Sequence, residues 1–247
     1  MNVSLDRSSY MPLYIQVKEM IKEKIKKGDY KRGEKVPSEA ELQKELSISR
    51  TTARNALKEL VNEGILETHQ GKGTFVCKEK LSHPLPNLTS FTEDIKNKGF
   101  KPGAEVIENR LIKPDKYVRE QLDLADSDRV YYLKRLRTID GEAVGLHKAY
   151  INAKLLEGRD FREINFAEKS LYKTLENEYN IKIGEAEETI EALPADISIS
   201  KLLNMSGSFP VLILNRKTYT VDGKLLEYVK IIYRADRYKY HVRLKRK

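Results

Sequence analysis

The chain of 247 residues holds one cysteine, four histidines and no apolar run approaching a membrane-crossing length of about 18 residues. Each shortage closes off a class of protein. A lone thiol, Cys77, builds no disulfide framework and fits a reducing cytoplasm. His69, His83, His147 and His241 stand at no metal-ligand spacing from one another or from Cys77, so neither a metal nor a cofactor is expected. The opening MNVSLDRSSY lacks the apolar core of a secretory signal, and nothing reads as a membrane span. An enzyme would need a nucleophile with its base and orienter, or paired carboxylates with a reason for perturbed pKa values, and the sequence displays neither.

What is present is positive charge, unevenly placed. The net charge is +9. Residues 1–80 carry 16 Lys/Arg against 12 Asp/Glu, residues 234–247 carry 7 against 1, and the stretch between is balanced at 23 against 24. A basic N-terminal part beside a neutral middle favours a nucleic-acid partner for the former. The excess is too small for a protein that packages nucleic acid without regard to sequence. The basic C-terminal tail reads as a solvated end.

The pattern over Pro37–Val76 gives that partner a shape. Ser38 with Glu41 three residues on is a capping box, and Leu42 and Leu46 supply the buried side of a short helix. Ser49 caps the next helix, expected to run to about Glu63, with Ala53, Ala56, Leu57 and Leu60 forming one apolar stripe. Arg50, Arg54 and Lys58, four apart, line a face away from that stripe. Two short strands follow, Ile65–Thr68 and Thr74–Cys77, around the tip HQGKG, where His69, Gly71, Lys72 and Gly73 suit a tight turn lying close to a phosphate. Before them, Pro12–Lys27 predicts another helix, closed by Gly28. Helix, turn, helix and a basic hairpin make a winged helix, with the second helix of the pair sized for the DNA major groove.

Residues 78–88, KEKLSHPLPNL, read as a linker with two prolines and no periodicity. Thereafter the pattern is mixed. Helices are expected over 89–98, 114–124, 170–180 and 194–203. Strands are expected over 105–112, 129–139, 143–151, 181–193, 210–221 and 224–233, with a last edge strand over 237–244. Asp140-Gly141 and Asp222-Gly223 mark hairpins, so the sheet is antiparallel, with helices on one side: an α+β domain.

The segments PSEAEL, SRTTARNALKELVNEG, GKGTFV, LTSFTEDIKNKGFKPG and LEYVKIIYRADRY, in this order over nearly the whole chain, resemble the HutC branch of the GntR family of bacterial transcription regulators, and within it the repressors of N-acetylglucosamine utilisation. The resemblance implies a winged helix-turn-helix domain over 1–77 and, over 89–247, an effector-binding and dimerisation domain of the chorismate-lyase-like (UTRA) kind. The whole would act as a homodimer on a near-palindromic operator in double-stranded DNA. It implies DNA contacts from Ser49, Arg50, Thr51, Thr52 and Arg54, with His69, Gly71, Lys72 and Gly73 along the backbone or minor groove. Similar repressors hold a phosphorylated sugar, which implies that Phe91 and Thr92, then Ser170, Leu171 and Tyr172, offer helix-start N–H groups and hydroxyls. Arg135 and Arg137 would clamp the same anion, and Glu227 and Tyr233 would bond sugar hydroxyls. Two departures stand out. Ala40 replaces an arginine frequent at the second helix, and His147 replaces a glutamate of the amino-sugar repressors, which points to a different phosphorylated effector.

Overall fold

The computed structural model of the protein describes residues 5–69, 71–77, 80–84, 88–157, 160–205 and 210–244, and divides the chain into two compact units, Met1–Lys80 and Leu81–Lys247.

In the first unit, α1 (Leu13–Lys27) ends where Gly28 turns left-handed, with φ of 84°. The capping box of Ser38 and Glu41 starts α2 (Glu39–Leu46), and Ser47, also left-handed, turns the chain toward α3 (Arg50–Asn62), capped by Ser49. The hairpin β1 (Leu66–His69) and β2 (Gly73–Val76) pairs antiparallel with His69 opposite Gly73. Ala53, Ala56, Leu57 and Leu60 are all buried, as their spacing predicts, and pack with Val17, Ile21, Leu42, Leu66 and Val76. The basic residues of α3 are left outside by that burial.

The second unit opens on β3 (Leu81–Pro84), then α4 (Phe91–Asn97), β4 (Pro102–Ile112), α5 (Lys116–Gln121), β5 (Val130–Ile139) and β6 (Glu142–Asn152). There follow α6 (Leu171–Glu178), β7 (Ile183–Pro194), α7 (Ile197–Leu202), β8 (Pro210–Thr220), β9 (Leu225–Arg234) and β10 (Tyr238–His241). Six strands form one antiparallel sheet in the order β4-β5-β6-β9-β8-β7. The expected hairpin of β5 and β6 turns at Asp140 and Gly141, both with positive φ, the backbone that an Asp-Gly pair tolerates.

Three expectations are corrected. Residues 81–84, expected within a linker, form β3, which pairs in parallel with β10 as a separate two-stranded sheet. Residues 78–79 and 85–87 of that stretch lie outside the described residues. The last strand is therefore not an edge of the large sheet but the partner of β3. Helices also flank both faces of the sheet rather than one. Leu171, Tyr172 and Leu175 of α6 pack on Leu133, Ala149 and Val229, while α7 covers Leu146 and Ile232, and α5 covers Val130 and Tyr228. The reason is the period of two: β5, β6 and β9 carry large apolar or aromatic residues at both parities, so both faces need cover.

Candidate functional site

On α3 the guanidinium groups of Arg50 and Arg54 reach solvent, one helical turn apart, beside Lys58. Both bond the carboxylate of Glu39 on α2: Arg50 Nε at 3.2 Å and Arg54 Nε at 3.1 Å. Ser49 Oγ accepts the Thr52 N–H at 3.0 Å and lies 2.8 Å from Thr52 Oγ1, so these two hydroxyls serve the helix start, while Thr51 is exposed. In the wing, Gly71 and Gly73 have φ of 75° and 120° and carry Lys72 between them, and the His69 ring stands edge-on to Phe75 at 5.3 Å. Ala40, Arg50, Arg54, Lys58, Thr68, Gly73 and Thr74 line one open groove between the two helices and the hairpin.

The second unit contains a cavity with an enclosed space of about 50 Å³, widening to about 580 Å³ with its mouth. That smaller space holds a few waters or one compact anionic group as it stands. All ten effector residues expected from the sequence line it: Phe91, Thr92, Arg135, Arg137, His147, Ser170, Leu171, Tyr172, Glu227 and Tyr233. They meet because of register. Arg135 lies opposite His147, and His147 opposite Ile231; Arg137 lies opposite Gly145, and Gly145 opposite Tyr233. The first turns of α4 and α6 close the cavity from above this face, with Ser90 Oγ and Ser170 Oγ 3.4 Å apart. Ser90 is already the cap of α4, in a second capping box with Glu93.

Arg135 and Arg137 are almost wholly buried, at 5% and 3% exposure, and the Nε of each is without a partner among the described residues. Arg137 donates through Nη2 to Thr92 Oγ1 at 3.1 Å and sits 4.3 Å from the centre of the Phe91 ring. Burial pulls Arg135 down to about 10, against the pull of Glu227, and it pulls Arg137 down to about 9, aided by repulsion from Arg135. His147 Nε2 is 3.0 Å from Tyr233 OH; burial, with Arg137, Arg135 and Arg216 nearby, pushes its pKa well below the ordinary value, so the imidazole is neutral. Glu227 accepts from Tyr172 OH and Thr218 Oγ1, each at 3.2 Å, and burial raises its carboxyl. Arg216, the third guanidinium of the wall, is bound to Glu188 at 2.5 Å. Two arginines against one carboxylate remain, an excess of positive charge aimed into a closed space.

Sequence reading did not assign His83, Thr89, Ser90, Arg216, Tyr238 and Tyr240 to this wall, where they all lie. His83 fell in the supposed linker, and Tyr238 and Tyr240 in the supposed edge strand. Tyr238 stacks on Tyr233 at 4.0 Å and donates to Asp94 Oδ2 at 3.1 Å, and His83 Nδ1 is 3.0 Å from the same oxygen. Arg216 shares parity with Leu214 and Thr218 on β8, a signal available in the sequence once the inner face is known.

Among the described residues, no helix is long and apolar enough to cross a membrane, and no group of His, Cys, Asp and Glu is arranged to hold a metal ion. Two family models match the chain: the gntR family of bacterial regulatory proteins over residues 13–76, and the UTRA domain over residues 97–239. The chain is 33% identical to the HTH-type transcriptional repressor NagR of Bacillus subtilis over 96% of both proteins. It is 32% identical to the mannosyl-D-glycerate transport/metabolism system repressor MngR of Escherichia coli, over 96% of this chain and 98% of that one. Among solved structures, PhnF of Mycobacterium smegmatis superposes with a TM-score of 0.64 at 27% identity, covering 96% of this chain and all of that one. NagR and MngR are named as repressors rather than enzymes, and the chain belongs with them: it is a member of the GntR family, a winged-helix DNA-binding regulator with a UTRA domain.

Proposed function

We propose that the protein is a cytoplasmic, homodimeric repressor whose hold on a near-palindromic operator is released or altered by a small phosphorylated ligand. A sugar phosphate is the best fit, and the genes controlled would serve carbohydrate uptake or catabolism. Residues 1–77 would read the operator, and the unit from β3 onward would bind the effector and dimerise. The observation that carries the effector class is the pair Arg135 and Arg137, buried side by side with unpartnered Nε atoms at the starts of α4 and α6. A buried cation pair with a single carboxylate, Glu227, beside it costs stability unless something supplies a further anion. Phosphate does so bidentately, and the helix-start N–H groups add to it.

His147 refines the ligand. Where amino-sugar repressors carry a glutamate, this chain has a neutral imidazole bonded to Tyr233, which offers no charge to an ammonium group. Relatives named for mannosyl-D-glycerate and fructoselysine systems support control of carbohydrate genes. The effector here is then a phosphorylated sugar without a free amine. Calorimetry with glucosamine 6-phosphate and a panel of neutral hexose phosphates tests this, combined with a gel shift on selected operator DNA. Tight binding of a neutral sugar phosphate that changes the shift is expected. Tight binding of glucosamine 6-phosphate alone would overturn the reading of His147, and no binding of any phosphate ester would overturn the anion class.

A further inference from the structure

We infer that Glu39, on α2, is the positioning residue that sets the base preference of Arg50 and Arg54. The inference rests on the reading of α3 as the DNA-reading helix. Because Arg50 and Arg54 lie one turn apart, a single carboxylate on the neighbouring helix reaches both. Oε1 of Glu39 accepts Arg54 Nε at 3.1 Å, and Oε2 accepts Arg50 Nε at 3.2 Å and Arg54 Nη2 at 3.3 Å. The Glu39 side chain is 31% exposed, while those of Arg50 and Arg54 are 70% and 57% exposed. The acid is thus seated between the helices and the bases reach outward from it.

The geometry has a chemical consequence. A guanidinium is a planar fork, and reading guanine through O6 and N7 requires two of its N–H groups to arrive together in the right plane. Glu39 occupies the Nε edge of each arginine and leaves the outer Nη hydrogens of both free. Held by one edge, each fork points its other edge outward in a fixed plane, which favours a base pair presenting two acceptors over a single phosphate oxygen. The carboxylate also repels phosphate from the floor of the groove, so backbone contacts that carry no sequence information are discouraged there. Ala40, next in the chain, brings no third cation, and among the described residues the basic partners of Glu39 are Arg50 and Arg54. Helix α2 does not need Glu39 to start, because Ser38 and Glu41 form the capping box. An exposed ion pair of this kind contributes little to stability.

The test uses the full-length protein and duplexes of random sequence, selected in parallel on the wild type, Glu39→Gln and Glu39→Asp, with thermal melts of all three. The wild type is expected to yield a half-site containing guanine. Glu39→Gln should melt as the wild type and bind scrambled DNA at least as well. Its discrimination against base changes at those guanines should fall roughly three- to thirtyfold, within what one bidentate contact supplies. Glu39→Asp, which keeps the charge on a shorter arm, should recover part of the loss. An unchanged base-preference profile in Glu39→Gln would overturn the inference, whether affinity for all DNA rose or stayed. So would loss of all binding together with a lowered melting point, which would assign Glu39 to folding. A wild type that selects no sequence would instead remove the DNA-reading role of α3, and the inference with it.

Discussion

Arg137 and His147 are buried together in the cavity wall, and each meets the cost of burial differently. Arg137 stays cationic with its Nε unmatched, while His147 gives up its proton. Replacing a buried, incompletely matched charge with an apolar side chain of similar length is commonly neutral or stabilising. Arg137→Met is therefore expected to melt at or above the wild-type temperature while losing roughly a hundredfold or more in affinity for a phosphorylated ligand, the scale of one charge-assisted bidentate contact. Differential scanning calorimetry beside titration calorimetry checks both halves, and a destabilised variant would contradict the first. For His147 the sign is fixed by its lowered pKa. Above about pH 6.5 the imidazole is neutral both folded and unfolded; below it the unfolded chain takes up a proton that the folded one refuses. Stability present above that pH is lost as pH falls, at up to about 1.4 kcal/mol per unit. His147→Gln should lack this component, so its melting point should gain on the wild type between pH 7 and 5.5. Equal slopes in the two proteins would show that His147 titrates normally.

At the scale of elements, the cavity is a product of cross-strand register as much as of residue choice. Gly145 on β6 sits between Arg137 and Tyr233 in the same row, and a Cβ there would fall on the Tyr233 ring and 3.0 Å from the Ile232 carbonyl oxygen. Gly145→Ala should therefore push Tyr233 off His147 and off its stack on Tyr238, costing about 1–3 kcal/mol as an overpacked site does. It should also weaken ligand binding, because the displaced Tyr233 hydroxyl belongs to the cavity wall. Denaturant unfolding and a crystal structure of the variant would show whether the ring moves. Arg135 and Arg137, two apart on β5, share one face of the sheet, as a period of two requires.

For the molecule as a whole, binding of operator and of effector must be reciprocal if they are coupled. Whatever factor the ligand takes from operator affinity, the operator must take from ligand affinity. Titrating each ligand in the presence and absence of the other should return the same factor, of roughly 5 to 150 for coupling of ordinary size. Two unequal factors would mean that one measurement reports another process, such as a change in oligomeric state. The chain crosses from the first unit to the second between Lys80 and Leu81, and the first element it meets there, β3, carries His83 to the cavity wall and to Asp94.

The local signals were sufficient wherever the physics is local. The stripe Ala53, Ala56, Leu57 and Leu60, the capping box at Ser38 and the Asp140-Gly141 turn each depend on residues within a few positions, and each stands as its spacing predicts. The family motifs extended that reach to the ten residues of the cavity. Tertiary structure decided what depends on distant partners. The parallel pairing of β3 with β10 joins segments more than 150 residues apart, so neither His83 nor Tyr238 could announce its place. Which face of β8 looks inward assigns Arg216 to the wall, and the helix opposite α3 assigns Glu39 to the arginines. A sequence determines which groups a segment can bury or cap by its own periodicity; which charges end up facing each other is settled only by packing.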